Sequence, residues 1–165
     1  MAKGTKDAEK TNVLRVLDSK KIPYVFHTYQ ADPSLSGEEI ASILQEPADY
    51  VFKTLVTQGR SNKNYVFVIP VGAELDLKKA AKSVGEKSIE MIRQKDLLPL
   101  TGYVHGGCSP IGMKKSFPTQ IHETASAMEK IFVSAGRVGA QIEISTEALR
   151  DIVSARFADL IKDPD

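Results

Sequence analysis

The sequence predicts a single α/β domain, of the α+β kind, in which helices surround a mixed, largely antiparallel sheet. Short segments rich in β-branched and aromatic residues alternate irregularly with amphipathic ones, without strict strand–helix repetition. Strands in the middle and at the end of the chain follow one another closely, which favours antiparallel pairs. The 165 residues suffice for one core and show no repeat of roughly 20–50 residues. We therefore expect one domain over residues 1–165, ordered from about 8 to 161.

The predicted helices follow from apolar spacing and from capping residues. They are residues 7–20, 40–45, 77–83 and 146–153, with a helical turn at 93–98. Ser36 and Glu39 form a capping-box pattern in front of the second helix. Asp76 and Ser145 are suitable N-caps for the third and the last. Pro99 is expected to end the turn before it.

The predicted strands are residues 24–29, 50–57, 65–70, 89–92, 119–122, 130–134 and 141–144. The polar segment 58–64 is typical of a hairpin loop between two of them. In the strand 50–57, alternation places Val51, Lys53 and Leu55 on one face. A lysine amid that much apolar surface lies either at a strand edge or in a cavity, where a substrate oxygen becoming anionic would offset its burial.

Composition excludes several classes of protein. The formal net charge of +1 lacks the basic excess that unaided nucleic-acid binding requires, so any such contact is weak or helped by a partner. A single cysteine excludes a disulfide framework and a multi-cysteine zinc site. The chain shows no signal-peptide pattern and no apolar run of about 18 residues, so we expect a soluble, cytoplasmic protein.

The segment 101–115 holds the only cysteine, Cys108, close to His105 and to twin glycines. One interpretation is a thiol hydrolase, in which a nearby base lowers the pKa of Cys108; the alternative is a small apolar residue packed under a loop. A second interpretation gives the chemistry to the backbone. Gly106 and Gly107 can both adopt positive φ and turn their amides toward an anion, where one donor is worth about 3–4 kcal/mol to a transition state.

Five short motifs occur in an order and at a spacing characteristic of one family. They are Phe-Lys-Thr-Leu-Val at 52–56, Leu-Lys-Lys-Ala-Ala-Lys-Ser at 77–83, Thr-Gly-Tyr at 101–103, Gly-Gly-Cys-Ser-Pro at 106–110 and Val-Ser-Ala-Gly at 133–136. With them the sequence resembles the YbaK-type prolyl-tRNA editing domains, most of all the free-standing Cys-tRNA(Pro) deacylases. The resemblance extends from about residue 13 to 161.

The resemblance implies a curled mixed sheet around a pocket, and hydrolysis, without metal or cofactor, of the ester that joins a wrong amino acid to tRNA(Pro). It implies that Lys53 and the Gly106 amide hold the ester carbonyl. Its further substrate-binding positions are Tyr29, Thr54, Gly107, Ser109, Pro110 and Ser134. For the cysteine-specific subgroup, the resemblance implies that the substrate's own thiol attacks its carbonyl, so that no protein nucleophile is needed. The resemblance also implies prolyl-tRNA synthetase as the partner that supplies tRNA(Pro).

Two departures from the family keep alternatives open. Cys108 stands where the family more usually has an aliphatic or small residue, and the loop 31–37 is shorter than in relatives with an extra aromatic residue there. The same scaffold serves deacylases directed at alanine or another small residue. A non-catalytic module that binds tRNA or a synthetase is the alternative from another class.

Overall fold

The computed structural model describes residues 10–164. The five helices in this range are α1 (Asn12–Ser19), α2 (Gly37–Leu44), α3 (Leu77–Val84), α4 (Gln94–Thr101) and α5 (Thr146–Ile152). The eight strands are β1 (Tyr24–Thr28), β2 (Phe52–Gly59), β3 (Asn64–Pro70), β4 (Ile89–Met91), β5 (Thr119–His122), β6 (Lys130–Ser134), β7 (Ala140–Ser145) and β8 (Arg156–Ala158). Residues 7–9 of the first predicted helix lie outside the described residues.

The strands form two sheets that are joined at one point. One sheet has the order β1-β7-β6 and is antiparallel throughout. The other has the order β4-β2-β3-β5-β8; β2 pairs antiparallel with β3 and β4, while β5 is parallel to both β3 and β8. A parallel bridge between Val51 and Phe132 connects β2 to β6. The predicted mixed, largely antiparallel sheet with surrounding helices is confirmed.

The two faces of β2 pack into different parts of the molecule. Phe52 and Val56 belong to the main core, which also buries α1 and one side of the three-stranded sheet. Val51 packs instead with Phe132 under α2, and Leu55 contacts the core below α3. The alternation predicted from the sequence is therefore confirmed, and Lys53 lies on the Val51 face, between the two smaller cores.

Local capping signals fix the helix starts. Ser36 and Glu39 make both hydrogen bonds of the capping box, so α2 begins at Gly37. The Asp76 carboxylate accepts the amides of Lys78 and Lys79 at 3.0 Å each, and α3 ends at Gly85 in the left-handed conformation. These caps hold the ends of α2 and α3 that approach Lys53.

The prediction that Pro99 ends its helix is wrong, because α4 runs through Pro99 to Thr101. Pro99 is the sixth of the eight helix residues, so its missing amide costs one intrahelical hydrogen bond, and the helix ends two residues later. The Thr101 hydroxyl donates to the Leu97 carbonyl at 2.8 Å, and the Gly102 amide donates to Leu98 at 2.9 Å. These two bonds close the helix after the proline.

The C-terminal segment, which includes the unpredicted strand β8, is tied to the start of α3. Lys79 Nζ contacts the Ile161 carbonyl and the Asp163 carboxylate at 2.7 and 2.8 Å. The backbone of Lys162 donates to the Glu74 carbonyl at 2.9 Å, and its Nζ pairs with the Glu74 carboxylate at 2.9 Å. This segment therefore places Lys162 and Glu74 beside the Lys53 face. Between residues 10 and 164, no helix is long and apolar enough to cross a membrane.

Candidate active site

Lys53 is half-buried on β2 with its ammonium group incompletely satisfied. Its Nζ donates to the Val71 carbonyl at 3.4 Å, a long bond, and this is the one hydrogen bond of its ammonium among residues 10–164. Burial lowers the pKa of Lys53, while the carboxylates of Glu74 and Glu38 act against that shift. An ammonium that keeps free N–H groups in a half-buried setting is suited to meet an oxygen that gains negative charge.

A cavity of about 600 Å³ opens next to Lys53. Its walls combine apolar side chains with charged ones: Leu55, Leu75, Leu77, Met91, Glu74, Asp76, Lys78 and Lys162. Leu77 and Met91 are exposed to solvent although both are large and apolar. The cavity has the size and the mixed lining of a site for a small ligand or for the end of a larger one.

A row of side chains crosses the three-stranded sheet on the face that Lys53 shares. His27 on β1 pairs with Gln141 on β7, and Gln141 pairs with Ser134 on β6, so the three side chains lie on one face. Val51 and Phe132 are partners in a parallel bridge. Lys53 lies two residues after Val51, and Ser134 lies two residues after Phe132. Lys53 therefore continues the row next to Ser134.

The turn at residues 136–139, between β6 and β7, connects this row to Tyr29, another predicted site residue. The Tyr29 amide donates to the Gly139 carbonyl at 2.9 Å. Burial raises the pKa of the Tyr29 hydroxyl, and a hydrogen bond from the Gln141 side chain opposes that shift. The Ser134 hydroxyl accepts the Gly136 amide at 3.1 Å. Tyr29 and Ser134 are thus both held at the end of the sheet where Lys53 lies.

The twin glycines pack on the same turn, and they differ from each other. Gly106 is exposed and has φ of 87°, whereas Gly107 is buried. The expectation that both adopt positive φ is wrong, because Gly107 donates its amide to the Val104 carbonyl at 2.9 Å and so closes the turn with an ordinary φ. A side chain at Gly107 would meet the backbone of Arg137 and Val138 at 2.9 Å. Gly107 therefore fixes the position of the turn, and the exposed glycine of the pair is Gly106.

The remaining predicted positions lie elsewhere. Ser109 and Pro110 are buried inside the loop, where the Ser109 hydroxyl accepts the Ile111 amide at 3.2 Å. Thr54 faces the main core side of β2, opposite Lys53, and its buried hydroxyl has no hydrogen-bond partner within residues 10–164. The residues that line the cavity beside Lys53 do not include Gly106. They do not include Ser134 or Tyr29 either. The strand register places Ser134 beside Lys53 in the row, and the 136–139 turn links Tyr29 and Gly106 to Ser134.

Cys108 is unsuited to be a nucleophile. Its side chain belongs to the main core, and burial raises the pKa of the thiol to about 12. His105, the nearest candidate base, is exposed to solvent. A thiol with that pKa carries almost no thiolate at neutral pH.

We expect Cys108→Ala to keep full catalytic activity and the native enzyme to react slowly with iodoacetamide. The variant loses buried volume, so its melting temperature should fall modestly, by an amount equivalent to about 1 kcal/mol. Steady-state rates and the rate of alkylation in native and unfolded protein measure both effects. Rapid alkylation with parallel loss of activity would restore the thiol-hydrolase interpretation.

Sequence reasoning missed Gln141 and Glu74. Gln141 is 5% exposed, yet its Oε1 has no hydrogen-bond partner within the described part of the chain. In the sequence it is one polar residue between apolar neighbours, a pattern that in a strand ordinarily indicates a solvent-facing position. Glu74 lies in a loop, and only the fold shows that it pairs with Lys162 and acts electrostatically on Lys53. No local signal could have identified either residue.

The comparisons with known proteins identify the family of the chain. A model of the aminoacyl-tRNA editing domain matches residues 32–152, which include Lys53, the twin glycines and Ser134. The chain belongs to this family. It is 45% identical over 156 residues to the proposed Cys-tRNA(Pro)/Cys-tRNA(Cys) deacylase EbsC of Enterococcus faecalis, with 94% of this chain and 95% of that protein covered.

More distant matches include one larger protein and two solved structures. A proline–tRNA ligase of Lactobacillus delbrueckii subsp. bulgaricus is 27% identical over 125 residues, which are 76% of this chain and 22% of the ligase. A solved structure described as a trans-editing enzyme for prolyl tRNA synthetase superposes with a TM-score of 0.79 at 22% identity, covering 93% of this chain and 99% of that one. The hypothetical protein APE2540 superposes with a TM-score of 0.84 at 21% identity, covering 92% and 100%. These two structures establish the shared fold.

Proposed function

We propose that this editing-domain protein is a trans-acting deacylase that hydrolyses the ester of mischarged tRNA(Pro), above all Cys-tRNA(Pro). The half-buried Lys53 ammonium, with free N–H groups beside a cavity, carries the proposal. The name of the Enterococcus faecalis relative, similar over nearly the whole of both chains, supports the substrate. An aminoacyl ester is already activated, so polarising its carbonyl supplies much of what hydrolysis requires.

In the proposed mechanism Lys53 Nζ and the Gly106 amide hold the ester carbonyl oxygen. The cysteine thiol of the substrate loses its proton and attacks its own carbonyl carbon, and the oxygen becomes an oxyanion between the two donors. The C–O bond to the ribose then breaks, the ribose oxygen takes up a proton, and a cyclic thioester is left. Water opens this thioester to give free cysteine. Tyr29 and Ser134 form the wall that orients the aminoacyl group.

Prolyl-tRNA synthetase is the proposed source of tRNA(Pro) selectivity. The near-neutral net charge of +1 gives little electrostatic affinity for a polyanion. In the Lactobacillus delbrueckii ligase, a segment similar to most of this chain is part of a proline–tRNA ligase itself. A free-standing copy of the domain would reach the same tRNA by association with a separate synthetase.

A panel of three mischarged tRNAs tests the proposal. Cysteine, alanine and serine esters of tRNA(Pro) are incubated with the protein, and the remaining ester is followed over time. We expect rapid loss of the cysteine ester. Preferential loss of the alanine or serine ester would assign the scaffold to another small amino acid. If all three esters persist while tRNA or a synthetase is still retained, the chain is a non-catalytic binding module.

A further inference from the structure

Two buried polar atoms on the Lys53 face have no hydrogen-bond partner within residues 10–164. Gln141 Oε1 is one, on a side chain only 5% exposed, and His27 Nε2 is the other. Both count as unpartnered within residues 10–164. Buried acceptors are nearly always satisfied in native proteins, because leaving one unpaired opposes folding. Two such atoms on paired residues of adjacent strands indicate a place where something outside the chain binds.

The chemistry of this place favours a positively charged donor. The oxygen of Gln141 can only accept hydrogen bonds. The Glu143 carboxylate lies on the same face, with its Oε1 3.8 Å from His27 Nε2. The Gln141 side chain donates to the Tyr29 hydroxyl, and its Oε1 is left without a hydrogen-bond partner within residues 10–164. Acceptors close to a carboxylate bind an ammonium group well.

An aminoacyl ester carries such a group at a fixed distance from its reacting carbon. The α-nitrogen lies about 2.5 Å from the carbonyl carbon. If the carbonyl oxygen lies against Lys53, the two positive charges repel, and the α-ammonium turns toward the side away from Lys53. Gln141 and His27 lie on that side, beyond Ser134 in the row across the sheet.

We propose that Gln141 Oε1, assisted by the Glu143 carboxylate, binds the α-ammonium group of the aminoacyl ester. The inference rests on the proposed function, because it takes the aminoacyl ester as the ligand. It makes Gln141 a positioning residue that selects esters with a free α-amino group. Peptidyl-tRNA and N-blocked aminoacyl-tRNA, which lack that ammonium, are disfavoured at the same site.

The test compares Cys-tRNA(Pro) with N-acetyl-Cys-tRNA(Pro) in wild type and in Gln141→Leu. Acetylation should lower kcat/KM of the wild type by about 10- to 100-fold, the value of a hydrogen bond to a charged group. Gln141→Leu should lose a similar factor on the free-amine substrate and should no longer distinguish the two. Gln141→Glu keeps an acceptor and should keep the distinction. Gln58→Leu, at the end of β2 far from the Val51–Phe132 bridge, is the matched control and should behave as wild type.

A binding measurement separates failure of this inference from failure of the proposed function. A stable amide analogue, cysteine joined to a 3′-amino-adenosine, is titrated calorimetrically against each variant with and without N-acetylation. If wild type hydrolyses no ester but binds the free-amine analogue more tightly in a Gln141-dependent way, the deacylase proposal fails and the inference stands. If Gln141→Leu discriminates as wild type does in both assays, or if wild type itself ignores acetylation, the inference is overturned.

Discussion

Lys53→Ala is expected to lower kcat for Cys-tRNA(Pro) hydrolysis by about 10²–10³-fold, the loss that follows removal of one oxyanion donor. The variant should fold normally. Burial disfavours the charged form of this lysine, as its lowered pKa indicates, so removing the ammonium also removes an unfavourable term from the folded state. The melting temperature should therefore stay the same or rise. Single-turnover hydrolysis and thermal melts measure the two effects.

Two further variants make the Lys53 result specific. Lys53→Met keeps much of the side-chain volume without the charge and should be as inactive as alanine. Lys63→Ala removes an exposed lysine from the turn between β2 and β3 and should leave the rate unchanged. An active, folded Lys53→Met would show that the ammonium takes no part in the reaction. A fall in melting temperature large enough to explain the lost rate by unfolding would make Lys53 a structural residue.

Replacing the substrate thiol should lower the rate of hydrolysis by at least as large a factor as Lys53→Ala does. We expect S-methyl-Cys-tRNA(Pro) to be hydrolysed about 10³-fold more slowly than Cys-tRNA(Pro), because an attacking group within the substrate has a high effective concentration. The chain offers no substitute nucleophile at Cys108, whose pKa is raised by burial to about 12. A pocket that sorted by size alone would distinguish cysteine from alanine only by about 1–3 kcal/mol.

The S-methyl substrate must be shown to bind before its slow hydrolysis is interpreted. It should inhibit hydrolysis of Cys-tRNA(Pro) competitively, with an inhibition constant near the KM of the normal substrate. The Gly107→Ala variant is not a suitable comparison, since its new side chain would meet backbone at 2.9 Å and displace the whole turn. Equal hydrolysis of the methylated and free-thiol esters would assign the attack to water or to the protein.

Much of the fold could be predicted because it is fixed by local chemistry. Ser36 and Asp76 each satisfy helix amides within a few residues, so their sequence patterns were sufficient. Pro99 misled because the effect of a proline depends on its position in the helix, which depends on where the helix begins. The strand β8 was missed because it has three residues and pairs in parallel with β5, far away in the chain. Nothing near β8 in sequence reports that partner.

The candidate site likewise contains residues that the local sequence could indicate and residues that only the fold brings into place. Lys53 was conspicuous because a charge interrupts an apolar strand, and its half-burial agrees with that interpretation. Thr54 is its neighbour in sequence but lies on the opposite face, which alternation alone could have indicated. Gln141 carried no signal, because its burial comes from strands and a turn that meet only in the folded protein. The unequal roles of Gly106 and Gly107 likewise depend on contact with residues 137 and 138.

A structure of the protein with the 3′-cysteinylamino-adenosine analogue tests whether Lys53 and Gly106 hold the ester carbonyl oxygen. We expect the analogue's carbonyl oxygen to lie about 2.7–3.1 Å from both Lys53 Nζ and the Gly106 amide nitrogen, with the thiol directed at the carbonyl carbon. A carbonyl bound away from Lys53, or one held by Lys53 while Gly106 stays out of hydrogen-bond range, would contradict that expectation.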